Sequence, residues 1–193
     1  MAVGATQAVA GPVLVPLVTA VLSLVLGFSR RLQAGVSVAG AVAYLVAVAL
    51  LFDRVATGGT LVYAVSGWRP PFGIVLVADP LATFMLALAA VVALAAVLFS
   101  VRFVDAFGQG LTYHPLFHFM LLGVSGSFLT GDLFNLFVWF EVMLMASYVL
   151  VVFYSGAEHT RAALQYVVLN LVGSAVMLLA VGGLYAATGT LNM

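Results

Sequence analysis

Residues 131–153 read GDLFNLFVWFEVMLMASYVLVVF, and Glu141 is the one acid in the interior of that apolar run, which holds no Lys, Arg or His. An acid at the centre of a membrane-length helix has two uses. It bonds a neighbouring helix in its protonated form, or it exchanges protons beside a cation or buried water. Interhelical hydrogen bonds contribute on average only about 0.6 kcal/mol in measured membrane bundles, whereas intramembrane acids mark ion and proton paths by default. Glu141 is therefore the candidate proton-relay residue. At helical spacing it shares a face with Phe134, Phe137, Val138, Leu144, Met145 and Tyr148, which makes the Tyr148 hydroxyl a candidate lining group of the same cavity.

Two other polar sets suit the same chemistry less directly. Asn170 and Ser174 stand four apart, with Gly173 beside them to allow close helix approach; they are either cavity groups or packing glue. Gly123 and Ser127 have the same spacing and suit helix contact. His114 and His118 are spaced i, i+4 like a metal pair, but Pro115 stands between them and no Cys or carboxylate completes a site. They read as membrane-interface residues, with His118 a possible relay group; no metal site and no cofactor is expected. Glu158, His159 and Arg161 read as ordinary capping and solvation at the start of a helix.

The elements that hold these residues follow from composition. Of 193 residues, 65% are hydrophobic and only 6% charged, with a mean hydropathy of +1.27, whereas soluble domains carry roughly 25% charged residues. The chain is a multi-pass membrane protein of all-α class. A net charge of zero gives no sign of a nucleic-acid partner, all six cations are Arg, and there is no Cys for disulfides or thiolate sites. Six apolar runs approach the roughly 20 residues a helix needs to span the bilayer, at about 9–28, 35–52, 80–100, 115–130, 132–154 and 162–187. The first lacks a basic region and a cleavage site and reads as a span, not a signal peptide. Thr130-Gly131-Asp132 forms a tight turn in which Asp132 caps the fifth helix. Between the second and third spans, 53–79, the segments TLVYAVSGW and FGIVLVAD flank Arg69-Pro70-Pro71 and predict a small exposed β-hairpin. It ends at Asp79-Pro80, a cap followed by proline at the first helical position.

Arginine placement orients the bundle. With the N-terminus outside, the inner loops hold Arg30, Arg31, Arg102 and Arg161, and the outer loop holds Arg54 and Arg69. Four against two favours that orientation.

The stretches HPLFHFMLLGVSGSFLTGDLFNLFVWFEVMLMASYVLVVF and ALQYVVLNLVGSAVMLLAVGGLYAATGTLNM, with FGIVLVADPLATFMLAL before them, resemble the D-type subunit of Mrp-type multisubunit cation/proton antiporters. That family is related to the antiporter-like subunits of complex I and of membrane-bound hydrogenases. The resemblance implies a fold of about fourteen helices built on inverted repeats, so that 1–114 is an N-terminal three-helix region and 115–193 the start of the first repeat. It also implies that Glu141, in VWFEVM, pairs with a lysine on a broken seventh helix. The sequence contains no Lys and its match to the family pattern stops before that helix, so either a complementary chain supplies it or the sequence is part of a longer protein. The implied partners are the other subunits of an Mrp-like complex, the bilayer, H+ and Na+. The implied role is that of a secondary transporter subunit, not an enzyme. The alternatives are a membrane-arm subunit of a redox-driven complex and a six-helix structural scaffold that moves no ion.

Overall fold

The computed structural model describes residues 7–67, 73–103, 112–153 and 157–193. Six α-helices and one hairpin follow in order: α1 Gly11–Val25, entered through a 3-10 turn at Ala8–Ala10, α2 Arg30–Gly58, β1 Leu61–Ala64, β2 Val75–Ala78, α3 Pro80–Phe103, α4 Tyr113–Leu129, α5 Leu133–Val151 and α6 Ala157–Thr188. Among the described residues, five helices are long and apolar enough to cross a membrane. The sixth, α4, has 17 residues, about 26 Å at 1.5 Å per residue, and is largely buried. It packs against α1 on one side and α5 on the other, while α2 packs against α1 and α3. Its buried residues run from His114 to Leu129 and occupy every turn. A helix enclosed by protein tolerates the two His and two Ser that a lipid-facing surface would not.

The second helix differs from its expected limits. It starts at Arg30 and continues past Asp53 and Arg54 to Gly58, where Gly59 turns at φ +81, a conformation that favours glycine. At 29 residues it is about 44 Å long, so its charged last turns project beyond roughly 30 Å of hydrocarbon. The connection to α3 is correspondingly shorter than 53–79. Its hairpin pairs Leu61 with Ala78 and Ala64 with Val75 in antiparallel register; Arg69-Pro70-Pro71 lies outside the described residues.

The hairpin also locks the bundle. The free edge of β2 takes the α4–α5 turn as a neighbour, with Leu76 bridged to Thr130 and Gly131 N–H donating to Val75 O at 2.9 Å. The turn's other side pairs with the last residues: Leu133 N–H donates to Leu191 O at 3.0 Å and Met193 N–H to Gly131 O at 3.0 Å. An edge that would otherwise expose unpaired backbone is thereby covered. The hairpin, the 130–132 turn and the 189–193 segment all sit at one end of the bundle.

The helix starts carry their own bonds. Asp79 Oδ1 accepts from Ala82 N–H at 2.6 Å, and Asp132 Oδ1 from Asn135 N–H at 2.7 Å. Each satisfies a donor of a first turn that has no intrahelical partner.

Candidate functional site

The site is built where α4 and α5 cross closely. A side chain at Gly123 would put its Cβ 2.6 Å from Met143 N, and one at Gly126 would overlap the Trp139 indole. These two glycines let the helix axes approach. Beside that contact lies a groove of about 520 Å³ lined by Leu116 and Phe119 of α4 and by Val138, Glu141, Val142, Met145, Ala146 and Val149 of α5. The α5 positions fall at i, i+3, i+4, i+7, i+8 and i+11, one helical face.

Glu141 is the only polar residue in that lining. Its side chain is half-buried, and its Oε1 is buried with no hydrogen-bond partner among the described residues. A carboxylate aimed at an apolar wall is costly to keep ionised unless a cation or water meets it.

The other expected site residues are placed elsewhere. Tyr148 lies close enough to Glu141 to feel its charge, but its ring packs edge-on to Tyr166 of α6 at 5.5 Å between centroids and does not line the groove. Ser147 and Tyr166 share a hydrogen bond of 3.2 Å. Asn170 donates to Tyr166 O at 2.8 Å within its own helix, and Ser174 is half-buried one turn further on. Neither lines the Glu141 groove. Gly173 meets nothing within 4 Å. Ser127 donates to Gly123 O at 2.8 Å within α4. The side chains of Glu158 and His159 lie outside the described residues.

His114 and His118 are 1% and 0% exposed, inside the bundle and not at its surface. At 100° per residue their mean direction is roughly 150° around α4 from that of Leu116 and Phe119, so α4 stands between the histidines and the Glu141 groove. His118 Nε2 pairs with Ser37 Oγ on α2 at 2.9 Å. No group of three or more His, Cys, Asp or Glu that could hold a metal occurs among the described residues. Sequence reasoning missed the partners Gln33, Ser37 and Tyr44. The signal was available as polar residues spaced 4 and 7 apart in an apolar helix.

With this geometry in view, comparison with known proteins is specific. Residues 130–193 match the family described as NADH:quinone oxidoreductase/Mrp antiporter, TM. Over 182 residues, 94% of this chain, the sequence is 40% identical to the D-type Na(+)/H(+) antiporter subunit of Bacillus subtilis (strain 168). The chain is similar to part of a D-type antiporter subunit. It spans 37% of the length of that relative. The same fold is also seen in two solved complexes. One is a chain of the membrane-bound sulfane sulfur reductase, an archaeal respiratory membrane complex, with a TM-score of 0.91 and 32% identity over 96% of this chain and 38% of that one. The other is a chain of the Mrp complex from Dietzia sp. DQ12-45-1b, with a TM-score of 0.86 and 31% identity over 97% of this chain and 35% of that one. The all-α membrane class and the small hairpin therefore agree with the fold of multisubunit membrane complexes.

Proposed function

We propose that this chain forms part of a proton-translocating membrane subunit in a multisubunit monovalent cation/proton antiporter, with Glu141 as its relay carboxylate and residues 115–193 as the start of the translocating repeat. The observation that carries the reading is the unpartnered Glu141 Oε1 in an apolar groove at the middle of α5. A cation seated across that groove would stabilise the ionised form, and moving it away would return the proton, which couples a charge displacement to proton affinity. The lysine implied by the resemblance has the right chemistry for that position. Its charge would come from residues outside this sequence, which has no Lys. The Bacillus subtilis relative is named for Na(+)/H(+) exchange, and Na+ is the exchanged cation in this reading.

The test is Glu141→Gln in the assembled complex, assayed in inverted vesicles. Gln keeps size and hydrogen bonding and removes ionisation. Cation-dependent proton movement is expected to be abolished with assembly intact, and Glu141→Asp to retain part of it. Normal transport by the Gln variant would show that Glu141 serves only as a hydrogen-bonding group.

A second reading has its own support. The TM-score to the respiratory reductase chain is 0.91 against 0.86 for the Mrp chain, so a redox-driven membrane-arm protein fits the backbone equally well. The two separate on the driving force. An antiporter moves protons in response to an imposed Na+ gradient without electron flow, and a redox-driven arm does not.

A further inference from the structure

Seven buried side-chain nitrogen and oxygen atoms lack a hydrogen-bond partner among the described residues, and five of them belong to Ser23, Gln33, His114 and His118. Burying such an atom without a partner costs about 1–3 kcal/mol, and native interiors hold only a few per 100 residues, so several in one place call for a partner. Their clustering is explained by register. Ser37 meets His118 and Tyr44 meets Ser125, each pair 81 residues apart. The constant offset means that α2 and α4 run parallel, and the same offset sets Gln33 opposite His114. From α1, Ser23 O accepts from Gln33 Nε2 at 3.0 Å.

This column begins at the end of the bundle that carries Arg30 and Arg31. Ser23 lies in the last turn of α1, Gln33 in the first turn of α2 and His114 in the first turn of α4. It climbs to Tyr44–Ser125, eleven residues above Gln33, about 16 Å. That pair stands level with Glu141. The contacts of Gly123 with Met143 and of Gly126 with Trp139 fix the antiparallel register of α4 and α5, which places Glu141 opposite residues 124–125. One helix thickness, roughly 10 Å, separates the two.

We propose that α1, α2 and α4 enclose a chain of ordered water running from Ser23 and Gln33 past His114 to His118, and that His118 is its proton-accepting member, a proton-holding site separate from the Glu141 groove. Water fits the donor set. Gln33 Oε1 needs a donor, a neutral imidazole needs one donor and one acceptor, and Ser23 Oγ serves as either. Buried waters characteristically make about three such bonds. The titratable and charged groups around His118 are few. They are His114 and Tyr113 on its own helix, Tyr44 and the exposed Arg30 and Arg31 on α2, Arg102 in the last turn of α3, and Glu141 of α5 across α4; α1 supplies none. The hydration stands independently of the antiporter reading, while its service to proton movement rests on that reading.

The experiment is water-edited solid-state NMR of the 193-residue chain, 15N-labelled and reconstituted in lipid bilayers. Magnetisation from water is expected to reach the ring nitrogens of His114 and His118 as fast as it reaches the exposed Arg30 guanidinium. Transfer as slow as that to the Ala90 amide in the apolar core would overturn the proposal. Gln33→Leu is expected to slow transfer to His114 several-fold; an unchanged rate would remove Gln33 from the column. Ser37→Ala, a milder change, is expected to shift the His118 tautomer balance. The 15N shifts of His118 are expected to respond when the bulk phase is acidified; a fixed neutral tautomer down to the lowest pH at which the chain stays folded would overturn its proton-accepting role. None of these readouts requires transport, so each distinguishes failure of this site from failure of the antiporter reading.

Discussion

Tyr44 on α2 and Ser125 on α4 share a hydrogen bond of 2.8 Å at the depth of Glu141, and Tyr44 is fully buried. The bond joins two helices that make few other contacts, and it does so without a charged group. Ser125 Oγ is also bonded to Leu121 O of its own helix at 2.8 Å. The hydroxyl pair is therefore asymmetric: Ser125 has a second partner, and Tyr44 has no second one among the described residues.

That asymmetry predicts unequal mutants. Tyr44→Phe leaves Ser125 bonded to Leu121 and is expected to cost about 0.6 kcal/mol, the average for interhelical bonds in membranes. Ser125→Ala strands a buried phenol and is expected to cost about 1–3 kcal/mol. Reversible unfolding in mixed micelles measures both, and equal losses would contradict the assignment of partners.

Much of this architecture was legible in the sequence because its cause is local. Hydropathy marks the spans, Asp79-Pro80 and Thr130-Gly131-Asp132 mark helix starts, and β-branched runs mark the hairpin; each depends on neighbours within a few residues. The far end of α2 was not legible, because Asp53 and Arg54 end an apolar run but not a helix, and only Gly59 does that. The groove around Glu141 was half legible. Helical spacing put Val138, Met145 and Tyr148 on its face; Val138 and Met145 line the groove, whereas packing against α6 turned the Tyr148 ring to Tyr166. The polar pairs across α2 and α4 depend on a register between segments 81 residues apart, and no local pattern sets that.

The glycines give a graded prediction. Gly123→Ala places a Cβ against the Met143 backbone, which cannot yield as a side-chain end would. It is expected to separate α4 from α5 at a cost of about 1–3 kcal/mol. Gly173→Ala meets nothing within 4 Å and is expected to be neutral within this chain, or stabilising by up to about 1 kcal/mol through helix propensity. Thermal unfolding in one detergent ranks the two, and a reversed order would contradict the packing.

The topology yields a labelling prediction. Because the sequence has no Cys, a single introduced thiol reports its own side of the membrane. Phe28→Cys, at a position 80% exposed between α1 and α2, is expected to react with an impermeant maleimide from the cytoplasm. Thr60→Cys, exposed beside the hairpin, is expected to react from outside. The basis is the arginine bias, with Arg30, Arg31 and Arg102 at one end of the bundle. The reverse pattern would invert the bundle and with it the side from which the buried column opens.

Glu141 itself can be interrogated without transport. A hydrophobic carbodiimide partitions into the bilayer and adds the O–H of a protonated carboxyl across its N=C bond, after which acyl migration leaves a stable N-acylurea. Asp79 and Asp132 are occupied as helix caps at the bundle end, each accepting a backbone N–H. Glu141 instead faces an apolar groove with one oxygen unpartnered, where a reagent dissolved in hydrocarbon can reach it. The reagent is expected to modify Glu141 in the chain reconstituted in bilayers and to leave both aspartates largely unmodified, read by peptide mass spectrometry. Val138→Trp should fill the groove beside it and slow modification several-fold, while Glu141→Gln removes the adduct. Equal modification of Asp132 and Glu141, or no effect of filling the groove, would mean that the carboxyl is not presented to an apolar cavity at all.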